Sequence, residues 1–156
     1  HAVVVPAAVN VLDLVQVNEI MTKAVETVQA DAPVRQVVEK RFSTGHQGYP
    51  VVDAEGRLVG IITSTDMRTK VKEGDLDRPV RDFMTRDPAH VFPGATAHDA
   101  LMEMVARNIG HLPVVHDEDP RRIVGFLTRQ DVLGVERRIM AEEERHDPYF
   151  HWPRRR

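Results

Sequence analysis

The sequence predicts an α+β fold: two tandem β-α-β-β-α units packed about a pseudo-twofold axis. Three observations lead there. Gly60-Ile61-Ile62-Thr63-Ser64-Thr65-Asp66 reads as a buried strand running into a helix, and Gly125-Phe126-Leu127-Thr128-Arg129-Gln130-Asp131 repeats its pattern. Both stretches sit in longer segments that stay in register, which marks an internal duplication. Each copy has only about fifty residues, too few to bury a good core alone, so two copies sharing a core satisfy the size constraint.

The first seventeen residues, HAVVVPAAVNVLDLVQV, are valine-rich and predict a strand or extended arm lying on the main body. A chain beginning at His1 reads as an excised piece of a longer protein or a trimmed tag. The first repeat is placed at 18–74, a linker at 75–79, the second repeat at 80–136, and a helix end with a tail at 137–156. Each repeat opens on Met-Thr, and Met21 and Met84 are 63 positions apart. The same offset relates Val28 to Val91 and Tyr49-Pro50-Val51-Val52 to Leu112-Pro113-Val114-Val115. It grows to 65 at Gly60/Gly125 and Asp66/Asp131, which puts a two-residue insertion near Asp119-Pro120.

Within each repeat a short strand ends near Val28 or Val91 and a helix follows. Val34, Val37, Val38 and Phe42 in the first copy, and Ala97, Ala100, Leu101, Met104 and Val105 in the second, have the spacing of one apolar helix face. Asp31 is the expected cap of the first helix, with Pro33 in its first turn, and Thr96-x-x-Asp99 has the capping-box pattern at the second. Gly45 and Gly110 are the expected stops. A hairpin comes next: Tyr49–Val52 and Leu58–Ile62 around Asp53–Gly56, then Leu112–Val115 and Ile123–Leu127 around a loop through Asp117–Pro120. The closing helices are a short one ending by Gly74 and an amphipathic one from about Gln130 to Arg145.

Composition excludes several classes. The net charge of −3 gives no basic excess for nucleic acid. Cysteine is absent, removing disulfides, thiolate metal sites and a cysteine nucleophile, and fitting a reducing compartment. The apolar run from Ala2 to Leu14 is too short and too broken by Pro6, Asn10 and Asp13 to span a bilayer. The eight histidines form no metal-ligand spacing, and neither a hydrolase serine elbow nor a Walker loop is present.

The ordered set of Met-Thr, helix, Pro-Val and Gly-apolar-apolar-Thr-x-x-Asp, present twice, resembles the cystathionine-β-synthase (CBS) domain pair, or Bateman module, over about Val17 to Val135. The resemblance implies a regulatory, non-catalytic module. It would bind an adenine nucleotide (AMP, ADP, ATP) or another adenosyl ligand in clefts between the repeats, and needs no cofactor. It also implies a homodimer attached to a parent such as a transporter or channel, hence a cytoplasmic module or the cytoplasmic domain of a membrane protein. Asp66 and Asp131 become the ribose candidates, with Thr63, Thr65 and Thr128 as hydroxyl donors. The implied adenine walls are Thr27, Val28, His90 and Val91, together with Gln47, Gly48, Tyr49, Gly110, His111 and Leu112.

Elementary chemistry agrees with the carboxylates: an ionised Asp is acceptor-only and matches a vicinal diol, and a helix N-terminus supplies unpaired N–H groups for phosphate. The same Thr-x-x-Asp spacing also satisfies a capping box that would serve the helix alone. Thr65 stands where the second copy has Gln130, which favours the Asp66 cleft. His46 and His111, once protonated, and Arg68, Lys70 and Lys72 are further phosphate candidates. In the tail, His146 and His151 around Tyr149 and Phe150 suggest a tag-like or partner-docking role. Arg154–Arg156 could touch acidic lipid or a partner, and the whole stretch with Trp152 reads as a disordered end or a dimer-contact arm. The alternatives from other classes are a structural dimerisation module with empty clefts and a nucleotide-acting enzyme.

Overall fold

The computed structural model describes residues 11–146; the residues 1–10 of the expected arm and the tail residues 147–156 lie outside it. The chain forms α1 (Val17–Ile20), β1 (Val28–Gln29), α2 (Val34–Thr44), β2 (Gly48–Val52), β3 (Leu58–Thr63), α3 (Ser64–Lys70), β4 (Thr85–Arg86), α4 (Ala97–Arg107), β5 (His111–His116), β6 (Asp119–Thr128) and α5 (Arg129–His146). This is the α+β duplication the sequence predicts. Val11–Leu14 is a 3-10 turn, not a strand, and its Leu12 is buried.

The first sheet runs β1-β2-β3-β4, with β1 parallel to β2 and the other pairs antiparallel. β4 is the Met-Thr segment of the second repeat, so that repeat's entry strand completes the first repeat's sheet. The exchange is reciprocal. In the second sheet β5 and β6 are antiparallel, Val91 bridges Val114 in parallel as β1 does to β2, and Thr22 of the first repeat bridges Phe126. Two glycines admit the exchanged methionines. A Cβ on Gly60 would lie 2.5 Å from the Met84 sulfur, and one on Gly125 would overlap Met21.

The cores follow the same crossing. One gathers Val28, Val34, Val37, Tyr49, Val51, Ile62 and Met67 with Val80 and Phe83 from the second repeat's entry. The other gathers Val91, Ala97, Ala100, Met104, Leu112, Val114, Leu127, Val132 and Val135 with Leu12 and Val17 from the chain start. Neither repeat closes its core without the other, as their small size requires.

Several local expectations change for physical reasons. Asp31 is exposed and makes no cap, because the linker carbonyls of Arg78 and Leu76 already accept the first helical N–H groups, those of Val34 and Arg35. Thr96 does cap α4, accepting from the Asp99 N–H at 3.0 Å. Gly45 ends α2 in the left-handed region at φ 72°, but α4 ends on Asn108 at φ 52°, two residues before Gly110. Phe42 and Val105, equivalent in the two repeats, are 82% and 63% exposed. At about 100° per residue each sits about 80° round from Val34 or Ala97, past the edge of the buried arc. Asp119 and Pro120 belong to β6, since His116 pairs with Asp119 around a two-residue turn and Pro120 occupies an exposed strand end.

Candidate functional site

Each Thr-x-x-Asp stands where a strand hands over to a helix, and each makes a cap. At the first junction the Asp66 N–H donates to Thr63 Oγ1 at 3.2 Å. In return the Thr63 N–H and hydroxyl both donate to Asp66 Oδ2 at 3.0 Å. Lys70, one turn on, places its ammonium 2.9 Å from the other oxygen, Oδ1. Asp66 is 9% exposed and is the buried charged residue among those described. At the second junction the Thr128 N–H donates to Asp131 Oδ2 at 2.8 Å and the Asp131 N–H to Thr128 Oγ1 at 3.3 Å. The position of Lys70 is here the buried Val135, and no cation reaches Asp131 among the described residues.

A cavity opens at each junction, and each is assembled from both repeats. The Asp66 cavity, about 560 Å³, takes Thr63–Asp66 from the first repeat. Asp87–Ala89 and Arg107–His111 of the second repeat form its opposite wall. The Asp131 cavity, about 330 Å³, takes Thr128–Asp131 from the second repeat and faces Ala24–Glu26 and His46–Gly48 of the first, with Phe126 on its floor. The strand exchange explains the construction: the residues just after each Met-Thr emerge beside the other repeat's Thr-x-x-Asp.

Of the expected site residues, Thr63, Thr65, Asp66 and His111 meet in the first cavity, and Thr128, Asp131, Gly48 and His111 in the second. Gln47, Gly110 and His111 line both. The other expected wall residues are elsewhere. Tyr49 and Leu112 are fully buried core residues, and Val28 and Val91 are buried with them. Thr27 offers its carbonyl to Lys40, and His90 packs edge-on against Phe92 beside a separate small hollow. The walls lie two or three residues nearer to Met-Thr, at Ala24–Glu26 and Asp87–Ala89, because Val28 and Val91 turn inward to pair with the hairpins.

His111 is a wall rather than a phosphate cation. Its ring stacks on Phe126 at 5.8 Å and rests against Gly48, its own counterpart in the first repeat. A side chain at both positions would crowd, since a Cβ on Gly48 would sit 3.3 Å from the imidazole and the ring would have to give by a few tenths of an ångström. Burial, and secondarily the Arg129 guanidinium, holds the His111 imidazole below the ordinary histidine range, so it is neutral at neutral pH. His46 stacks on Tyr49 with Nε2 3.9 Å from Glu26. Arg68 and Lys72 stand outside both cavities, and Lys70 is committed to Asp66.

Arg107 and Arg129 were not among the expected ligand residues. Arg129 follows Thr128 inside the repeated motif itself and takes the position of Ser64, so comparing the two copies residue by residue exposes it. Among the described residues no group of His, Asp and Glu could hold a metal ion.

A family model described as the CBS domain matches residues 17–73 and 80–138. The inosine-5′-monophosphate dehydrogenase of Methanocaldococcus jannaschii is 34% identical over 116 residues, covering 74% of this chain and 22% of that protein. The chain spans 22% to 43% of the length of the first three curated relatives it matches. A CBS domain pair solved in complex with 5-methylthioadenosine and S-adenosyl-L-methionine is 26% identical at TM-score 0.69, over 83% of this chain and 98% of that one. CBSX2, solved in complex with AMP, shares the fold at TM-score 0.71 and 24% identity, over 81% and 98% of the two chains.

Proposed function

The chain belongs to the CBS domain family, and on that premise we propose that it is a regulatory module that binds an adenine nucleotide or another adenosyl ligand in the clefts between its repeats. One observation carries this reading. Both cavities are built half from one repeat's Thr-x-x-Asp and half from the other repeat's entry segment, so a ligand in either one touches both repeats. A ligand that favours one angle between repeats then shifts the population toward that angle, by as much as its affinities for the two arrangements differ. The related pair holding methylthioadenosine and S-adenosylmethionine supports the adenosyl class. The role is binding, with no catalytic residue assigned.

The module acts on an attached or partner protein, such as a transporter or channel, and two copies associate as a homodimer. The equivalent exposed side chains Phe42 and Val105 supply an apolar contact on each repeat for that association. Among the described residues no helix is long and apolar enough to cross a membrane, and the module works on the cytoplasmic side, alone or joined to a membrane protein. Calorimetric titration with AMP, ADP, ATP, S-adenosylmethionine and methylthioadenosine tests the reading. Saturable binding of at least one supports it. Failure of all five leaves a structural dimerisation module, and turnover of ATP during incubation would make the chain an enzyme instead.

A further inference from the structure

We infer that the two clefts are not equivalent: the Asp131 cleft takes the ribose of the adenosyl ligand, with Arg129 as the residue that selects an anionic group on it. The inference rests on the adenosyl-sensing reading above and reverses the ranking that Thr65 suggests.

The argument is a count of acceptors. A carboxylate offers about four lone-pair sites, and a ribose diol needs two of them. On Asp66 three are taken, by the Thr63 N–H, the Thr63 hydroxyl and the Lys70 ammonium. A single site is left, so both ribose hydroxyls cannot be accepted without breaking a bond already made. On Asp131 one site is taken, by the Thr128 N–H, and among the described residues nothing else donates to it. Three sites are free.

The threonines differ in the same sense. The Thr63 hydroxyl proton is spent on Asp66, whereas Thr128 Oγ1 only accepts, from the Asp131 N–H, and keeps its proton for a ligand. The remaining wall suits a flat base. Val25, Gly48, Phe126 and the neutral His111 ring line this cavity. Arg129 lies in the same wall, exposed, with one Nη donating to the Ile109 carbonyl at 3.1 Å and the rest of its fork uncommitted among the described residues. At the equivalent place the Asp66 cavity has Ser64, whose hydroxyl is engaged with Gln47 and Arg41.

The test is calorimetry on the full chain with AMP and adenosine as the probes. Asp131→Asn keeps an oxygen to accept from Thr128 and so keeps the cap, and is expected to weaken AMP by about tenfold or more through the lost charged acceptor. Asp66→Asn is expected to stay within about twofold. Arg129→Gln is expected to weaken AMP by about tenfold while leaving adenosine unchanged, a split that a merely structural role would not give. Should Asp131→Asn fail to fold, as judged by circular dichroism, that split decides the case by itself. Loss of AMP binding in Asp66→Asn but not in Asp131→Asn overturns the inference and leaves the sensing module intact. So does equal weakening of AMP and adenosine by Arg129→Gln. A wild-type chain that binds neither probe overturns the inference, and the sensing reading falls with it when ADP, ATP, S-adenosylmethionine and methylthioadenosine fail as well.

Discussion

Replacing Gly60 by alanine probes the exchange of entry strands directly. Gly60 is central in β3, opposite Val51 on one side and Arg86 of β4 on the other. A Cβ there would stand 2.5 Å from the Met84 sulfur and 2.8 Å from the Thr85 carbonyl oxygen. The Met84 side chain can rotate away, but the Thr85 oxygen is main chain of the second repeat's entry strand, so β4 must shift. Overpacking of this kind costs about 1–3 kcal/mol. Alanine recovers roughly 0.4–1 kcal/mol over glycine by stiffening the unfolded chain, leaving a net loss centred on about 1.3 kcal/mol. With a urea slope near 2 kcal/mol/M, the unfolding midpoint followed by circular dichroism should fall by about 0.6 M. Gly125→Ala is the internal control. The three atoms nearest its new methyl all belong to the flexible Met21 side chain, so its loss should be the smaller, and adding Met21→Ala should relieve it. A Gly60→Ala midpoint equal to wild type, or a Gly125→Ala loss as large, would refute the claim that main chain sets the cost.

Thr96→Ala should cost about 1 kcal/mol in the same urea assay by orphaning the Asp99 N–H, while Asp31→Ala should stay within about 0.5 kcal/mol because the linker carbonyls already do that work. The neutral His111 makes stability depend on pH. Its folded pKa lies below the unfolded value near 6.5, so the unfolded chain binds the proton more readily and stability falls as pH drops below about 6.5. His111→Gln should flatten the change in urea midpoint between pH 7.5 and 5.5, and an unaltered pH profile would show that the burial of this ring is not felt.

The duplication, the strand-to-helix junctions and both Thr-x-x-Asp groups were legible because each rests on local spacing. Val34 and Val37 in α2, and Ala97, Ala100 and Met104 in α4, are buried as their period requires. Phe42 and Val105 were misplaced because an apolar period locates a helix face without marking where the neighbouring sheet ends. The walls at Ala24–Glu26 and Asp87–Ala89 were missed for a related reason: nothing in a short polar connection says which sheet it will lie against. Lys70 was read as a candidate for phosphate, yet its position four residues after Asp66 on a helix is the spacing of an ion pair, which the folded chain makes.

That two like units exist, where their strands meet their helices, and which carboxylates and hydroxyls stand at those junctions are all written in local pattern, since periodicity and capping act over a few residues. Folding in three dimensions is what sends Met21-Thr22 and Met84-Thr85 across to the opposite sheets, shares each cleft between repeats, and leaves Asp66 and Asp131 with different numbers of acceptors for a ligand. Those outcomes depend on pairing between residues tens of positions apart and on what fills each carboxylate's coordination once the chain has closed, and local pattern carries neither.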